Sequence, residues 1–578
     1  MFDRYMSGLK SKDRPVRRIS PRRVTCAGRR FRRLTLPTLT LWFGMVGPVA
    51  GVTAQFDSGS SRQTTDTAGA EQAAAILDLE HPVSRGLAPG ETHTYNITLG
   101  ASRYLRLVVE PQGLDVSISI VGPDGHPRLT KISSYGPQGP VDASLVVRIA
   151  GIYRVEVRAT ENNAHPGHYQ IRVDQIRTAT TRDDLISRGD ETIAEAQQLR
   201  GTSTAESRRA AMGRYEQALP SLRSAGDQLG EALALESLAG LHNDLGDNKK
   251  AVELFRHCLV LFRSLRDRRG EAMAQSDLGS VENDLGENQQ ALIDLNQALS
   301  IRKDIGDQRG EAETLEYIGD VYENTSEAEK ALQTYNRGLL LRRKIGDLRG
   351  EAETLDDIGV VYYDIDEEQT ALQYYDQALP IHQSLHDRWG EALTLNNFGT
   401  AYDSLGDKKK ALEYFTKSLP LKIVVGNRRG EAQTLSNMCS AEQTLGEWQN
   451  AIDHCRAALK ISQEIGDRQQ EAASLTKLGL VYATLGEPNT ALRQFQVSLA
   501  LSRATNWPLW ESTNLNNIGR VFYEAKKNDK ALENYRLALG IRRKVQDLTG
   551  EAATLCDMGR SYEAQGDKLA ALDHFEQA

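Results

Sequence analysis

From Glu191 to Glu551 a glutamate returns every forty residues without a slip, through Glu231, Glu271, Glu311, Glu351, Glu391, Glu431, Glu471 and Glu511. Alanines keep the same step from Ala211 to Ala571. Aromatic residues do so at Tyr215, Phe255, Tyr335, Tyr375, Phe415, Phe495, Tyr535 and Phe575. A fixed period of this length means one supersecondary unit repeated, each copy burying its apolar face against its neighbours. The feature excludes a single globular core for the C-terminal two thirds of the chain. With aromatics at only 6%, that stacked core must be built mainly from Leu, Ile, Val and Ala.

Residues 307–346 show the mechanics of one unit. Asp307 is placed to cap a helix carrying Leu315, Ile318, Gly319 and Tyr322 on one face. Asn324-Thr325-Ser326 breaks that helix, and a second starts near Glu327 with Ala331, Leu332, Tyr335, Leu339 and Leu340 as its apolar positions. Gly346 stands where a helix ends in a left-handed residue. Gly319 and Ala331 carry little or no side chain, so two antiparallel helices can approach closely there. The spacing Leu315, Gly319, Tyr322, Ala331, Tyr335 resembles the tetratricopeptide signature, lengthened to forty residues. With its Gly-Asp-x-x-Gly-Glu-Ala junction, this form is similar to that of kinesin light chains and GoLoco-binding polarity adaptors. The resemblance spans 187–578 and implies a solenoid of helix pairs: a degenerate first unit (187–226), eight full units (227–546) and a last unit (547–578).

Residues 76–176 read differently. Apolar residues alternate with polar ones at Tyr95, Ile97, Leu99; at Leu105, Leu107, Val109; at Val116, Ile118, Ile120; at Tyr153, Val155, Val157; and at Tyr169, Ile171, Val173. Gly122-Pro123-Asp124-Gly125 is a strong turn. Short strands at this spacing predict a small antiparallel sandwich. The stretches Gly90–Tyr95, Gly113–Val116 and Ala150–Val155 resemble the bacterial pre-peptidase C-terminal domain, which implies a non-catalytic accessory of an exported protein. Asp115 and Asp124 are read as turn formers rather than calcium ligands. The expected fold class is therefore a small all-β sandwich followed by an all-α superhelical solenoid, with 177–578 as the helical part.

The N-terminus is a third kind of sequence. Residues 1–33 hold twelve Lys/Arg against Asp3 and Asp13, and 34–54 hold no charge. Of the net charge of −8, that segment contributes +10, so residues 55–578 carry −18. A chain this acidic is a poor candidate for wrapping nucleic acid, which needs surplus Lys/Arg. Arg29-Arg30-Phe31-Arg32-Arg33, the apolar Leu34–Ala54 and the closing Val52-Thr53-Ala54 follow the order of a secretory signal. The favoured reading is export with cleavage after Ala54, to the periplasm or beyond. The alternative is an uncleaved membrane anchor over 34–54, made less comfortable by Pro37 and Pro48. Residues 55–75 are small and polar, a linker.

The order of parts resembles a bacterial group of exported proteins in which such a β-domain and forty-residue tetratricopeptide repeats precede a caspase-like CHAT peptidase domain. The sequence departs from that group at the decisive place, since Ala578 lies inside a repeat and the peptidase's His/Cys pair has no counterpart. The resemblance leaves no catalytic residue to carry over.

No residue pattern supplies chemistry of its own. No C-x-x-C occurs among Cys26, Cys258, Cys439, Cys455 and Cys556, and no phosphate loop or nucleotide fingerprint appears. No catalytic, cofactor or metal residue is assigned, and the chain is read as non-enzymatic. His382 and His386 are read as lying on a solvated helix face. The recurrent Glu of Gly-Glu-Ala is assigned to helix-dipole and ion-pair duty, with Arg302 or Arg342 as partners. Cys439 replaces the small residue of the helix crossing and Cys455 the aromatic of its partner helix, a volume-compensating exchange. Two buried thiols are the expected state, with a disulfide as the alternative in an oxidising compartment.

The inner face is the candidate site. Glu313, Glu316, Asp320, Glu323, Glu353, Asp356 and Asp357 form an expected acidic patch. Asn396, Asn397, Asn437, Asn516 and Asn517 supply amides able to bond an extended backbone. The expected function is a scaffold binding a protein or peptide, basic where it meets the patch, with no nucleic acid, no cofactor and a membrane only through 34–54. The alternative is the regulatory, substrate-recruiting half of a CHAT peptidase whose catalytic domain is missing or separately encoded. A third reading is an intracellular adaptor with a mis-started N-terminus.

Overall fold

The computed structural model describes residues 75–79, 81–133, 135, 139–159, 166–200 and 205–578. The targeting segment and nearly all of the linker lie outside these residues. Nine strands come first: β1 Ala75–Ile76, β2 Val83–Leu87, β3 Thr92–Leu99, β4 Arg103–Gln112, β5 Val116–Val121, β6 Pro127–Ile132, β7 Val141–Val147, β8 Gly151–Ala159 and β9 Gly167–Thr178. One sheet has the order β1-β3-β8-β5-β6, the other β2-β9-β4-β7. All pairings are antiparallel except the two-residue β1 against β3.

The alternation seen in the sequence is the core. Every residue of the five alternating triplets is buried between the sheets. The Gly122–Gly125 turn joins β5 to β6, as its composition requires. Strands β1, β2, β6 and β7 were not expected. Asp115 is within 3.9 Å of Arg309 and Asp124 pairs with Arg128, so both face arginines.

Among the described residues, twenty helices follow in pairs. They are α1 Thr181–Arg200 with α2 Ala205–Ala225, α3 Gln228–Asp244 with α4 Asn248–Leu265, and α5 Arg268–Asp284 with α6 Asn288–Asp304. Next come α7 Gln308–Asn324 with α8 Ala328–Ile345, α9 Leu348–Asp364 with α10 Glu368–Ser384, and α11 Arg388–Ser404 with α12 Lys408–Val424. The last are α13 Arg428–Leu445 with α14 Trp448–Ile465, α15 Arg468–Thr484 with α16 Pro488–Ala504, α17 Pro508–Glu524 with α18 Asn528–Lys544, and α19 Leu548–Gln565 with α20 Lys568–Gln577. No helix among the described residues is long and apolar enough to cross a membrane.

The local rules hold as read. Asp307 accepts a hydrogen bond from the backbone N–H of Gly310, and the same cap recurs at Asp227, Asp267, Asp387 and Asp547. Gly346 ends α8 at φ 70°, the left-handed value that glycine reaches without a β-carbon clash. At the crossing, a β-carbon on Gly319 would lie 2.5 Å from the ring of Tyr335.

The chain divides into two compact units at Gly350/Glu351, inside α9. In the unit ending at Gly350, the sandwich and the first helix pairs are packed together. Lys131 Nζ meets Asp190 of α1 at 2.8 Å, both buried, and the N–H of Val146 donates to Ser187 Oγ. Beyond β6, Tyr135 donates its hydroxyl to Asp267, the cap of α5, at 2.7 Å. Burial first, and then that hydrogen bond, raise the Tyr135 pKa above the usual tyrosine value. Among the described residues, the second unit, from Glu351, consists of helices.

Candidate functional site

In each unit the first helices of successive pairs reach one another through side chains, and this contact defines an inner face. In the first unit, Asn324 of α7 donates to Asn283 of α5. In the second, Lys477 Nζ of α15 donates to Asn437 Oδ1 (3.3 Å) and to the carbonyl of Ser436 (3.0 Å) on α13. Asn516 of α17 donates to Asp557 of α19, and Gln443 of α13 to Thr484 of α15. Each bond spans forty or forty-one residues, one repeat step.

The twelve sequence candidates do not share one environment. Glu313, Asp320, Glu323, Glu353, Asn397 and Asn437 are half-buried. Tyr335 donates its hydroxyl to both Asp320 (2.6 Å) and Glu323 (3.0 Å). Glu316, Asp356, Asp357, Asn396, Asn516 and Asn517 are buried. Four of the acidic residues belong to the first unit and three to the second.

Four of the buried candidates, Glu316, Asp356, Asn396 and Asn516, stand in a polar arrangement that sequence reasoning missed. At one position of the second helix, the repeats carry Arg302, Arg342, His382, Lys422 and Arg542. Twenty-six residues earlier, on the first helix of the same pair, stand Ser276, Glu316, Asp356, Asn396 and Asn516. Arg342 binds Glu316 at 2.5 Å and Asp347 at 2.8 Å, all three largely out of solvent. His382 sits 3.1 Å from Asp356 and 3.3 Å from Asp387. Lys422 Nζ donates to Asn396 Oδ1 at 2.8 Å and Thr434 Oγ1 at 2.7 Å. The hydroxyl of the next unit completes several of these contacts: Thr394 donates to Asp356, Thr434 to Asn396. Glu316 and Asp356 are therefore buried against the second helix of their own pairs, away from the surface on which they were expected. His382 is 1% exposed, so the solvated-face reading fails for it, and His386 is exposed but lies past the end of α10 at Ser384, with a left-handed φ of 51°.

Burial sets the electrostatics of this column. For His382 it disfavours the charge, but hydrogen bonds and charge from Asp356 and Asp387 outweigh it and raise the pKa to about 9. Lys422 has amide and hydroxyl acceptors in place of a carboxylate, and burial lowers its pKa to about 7. In the first unit, Glu282 is raised to about 7 by burial and by Asp294 beside it.

Four of the recurrent glutamates pair with an arginine eight residues back, and Glu431 and Glu471 with one three residues back, rather than with Arg302 or Arg342. Glu231 meets Arg223, Glu271 meets Arg263, Glu511 meets Arg503 and Glu551 meets Arg543, at 2.6–3.0 Å. These are partly exposed surface bridges of small energetic weight. Among the described residues, no group of three or more His, Cys, Asp or Glu is placed to hold a metal ion.

Cys439 and Cys455 are joined as a disulfide, Cα atoms 5.4 Å apart, where two thiols were the expected state. The bond occupies the crossing that Gly and an aromatic residue fill in neighbouring pairs. The volume exchange read from the sequence thus has a covalent form.

The tetratricopeptide repeat family model matches residues 230–304, 310–384, 369–423, 430–504 and 510–578, together more than half of the chain. The chain belongs to the tetratricopeptide repeat family. Among solved structures, this tetratricopeptide protein is similar to a Signal Transduction ATPase with Numerous Domains carrying a tetratricopeptide sensor, from Pyrococcus horikoshii. Identity there is 13% and the TM-score 0.48, over 64% of this chain and 55% of that one. The apo quorum sensor NprR from B. thuringiensis matches at 12% identity and a TM-score of 0.43, over 58% and 98%. Aspartyl phosphate phosphatase F from Bacillus subtilis matches at 13% and 0.42, over 59% and 94%. Comparison with curated proteins returns no match.

Proposed function

We propose that this tetratricopeptide protein is a non-catalytic scaffold whose inner face binds an extended segment of a partner protein. The observation that carries the reading is the amide column of the second unit. Asn397 and Asn437 stand one repeat apart and half-buried on α11 and α13, and Lys477 is bonded to Asn437 from α15. Side-chain amides both donate and accept, so a column of them can bond an extended backbone whatever its side chains. Glu313 and Glu353, one in each unit, support a preference for basic segments at their own positions.

The same reading places the protein outside the cytoplasm. Its support is the basic–apolar–small order of residues 29–54 and the disulfide, since such bonds persist in oxidising compartments. A sandwich followed by repeats also supports a recruiting role beside a separately encoded CHAT peptidase.

The test is a display selection of random linear peptides against the full chain, with Glu353→Lys/Asn397→Leu/Asn437→Leu as the counter-target. Peptides retained by the wild type should bind the variant about tenfold or more weakly, with an unchanged circular-dichroism melt. Equal retention by both proteins would sink the assignment of this face.

A further inference from the structure

We propose that the Cys439–Cys455 disulfide is a redox latch on the α13/α14 crossing. In the pairs on either side, the crossing is filled by a glycine under an aromatic ring. A β-carbon on Gly399 would lie 2.5 Å from Phe415, and one on Gly479 would lie 2.6 Å from Phe495. The α13/α14 pair has neither partner. Cys439 adds a sulfur where Gly leaves none, and Cys455 withdraws the ring, so only the shared bond fills the space. Both cysteines are 0% exposed and pack in one cluster with Ala451, Leu478, Val481 and Phe495.

Bonded sulfurs sit about 2 Å apart, whereas unbonded ones need roughly 3.5–4 Å. Cleaving the bond therefore forces the two sulfurs apart inside a packed crossing that holds no aromatic plug. The latch lies beneath Ser436 and Asn437, which receive the Lys477 contact, so loosening α13 also loosens the inner face there.

The chemistry is thiol–disulfide exchange with a small dithiol as reductant. One thiolate of the dithiol attacks a cysteine sulfur, the S–S bond breaks, and the released cysteine thiolate takes a proton. The second thiol then resolves the mixed disulfide, freeing the other cysteine and closing the reagent into a cyclic disulfide. Because both sulfurs are buried, attack waits on local opening of this pair.

Hydrogen exchange on the full chain, with and without dithiothreitol, tests the latch. Reduction should raise exchange about tenfold or more across α13, α14 and the adjoining α15, and leave α18 and α19 unchanged. Cys439→Gly/Cys455→Phe, which restores the partners used by the neighbouring pairs, should be as protected as the oxidised wild type and indifferent to dithiol. Cys455→Ser, which can never bond, should show the raised exchange without reductant. Reduced wild type as protected as the oxidised form would overturn the proposal. So would a Cys455→Ser chain as protected as the oxidised wild type, or a bond that dithiol reaches only on global unfolding.

Discussion

The guanidinium of Arg342 fills the space that a β-carbon on Gly350 would need. The same relation joins Phe262 to Gly270 and His382 to Gly390. Where the second helix carries Ser462 or Ser502 instead, the position eight residues on is Gln470 or Trp510. The chain thus exchanges volume across each junction: a large side chain demands glycine, and a small one permits tryptophan. Gly350→Ala should destabilise its junction by about 1–3 kcal/mol through overpacking. Conversely, Ser502→Phe should be tolerated only together with Trp510→Gly. A double-mutant cycle with no coupling between positions 502 and 510 would refute the exchange. Repeat arrays melt in parts, so the readout is local hydrogen exchange rather than one midpoint.

A second prediction concerns the crossing inside a pair. Gly359 faces the ring of Tyr375, with no room for a side chain. Gly359→Leu should push α9 from α10 at a cost of roughly 1–3 kcal/mol or more. Because coupling runs between nearest neighbours, protection should fall in α9 and α10 and persist in α15 to α18. Unchanged exchange in α9 and α10 would remove Gly359 from the crossing.

These contacts show what the sequence could and could not disclose. Gly319 and Tyr335 were legible as a crossing because small and aromatic residues recur at fixed positions on apolar helix faces. The sandwich triplets were legible because alternation places every second residue inside. Strand β7 was missed although Val141, Ala143, Leu145 and Val147 alternate with Asp142 and Ser144, because the small Ala143 and the apolar Val146 blur the two-residue period. The column of Arg302, Arg342, His382 and Lys422 was missed because polarity was equated with solvent. The signal was nevertheless present: the basic residues and their polar partners recur together, twenty-six residues apart, in step with the repeat. For the same reason Glu316 and Asp356 were assigned to a ligand face. Reversing them to Lys would place like charges against Arg342 and His382, breaking packing rather than probing recognition.

Lys422 offers a test of what a buried amine costs. Its folded pKa is about 7, below the ordinary lysine value of 10.5, so the unfolded chain binds the extra proton between those values. Stability should therefore rise as pH goes from about 7 towards 10.5, and bear the full cost at and below 7. Lys422→Met removes the charge and leaves Thr434 bonded to Asn396 at 2.9 Å. The variant should be more stable than wild type by about 1–4 kcal/mol at pH 7, with the gain fading above pH 10. A Met variant less stable than wild type at pH 6, in urea melts followed at α12 and α13, would contradict this reading.

His382 should show the opposite slope. Its folded pKa is about 9 against an ordinary 6.5, and the groups that face it are Asp356 on α9 and Asp387 at the start of α11. The folded state holds the proton more tightly, so this contribution is fully present below about 6.5 and is lost as pH rises through 9. His382→Gln leaves two buried carboxylates without a cation and should cost about 3–5 kcal/mol at pH 6. His382→Arg restores the residue found at Arg302, Arg342 and Arg542, where Gly390 leaves the same room that Gly350 gives Arg342. Arginine does not titrate in this range, so the variant should keep its stability and show no decline from pH 6.5 to 9. Lys422 works in the other direction over part of that window, so both proteins are compared in the Lys422→Met background. An imidazole that titrates near 6.5 by NMR, or a wild-type urea midpoint as flat as that of His382→Arg, would show that Asp356 and Asp387 do not hold the proton.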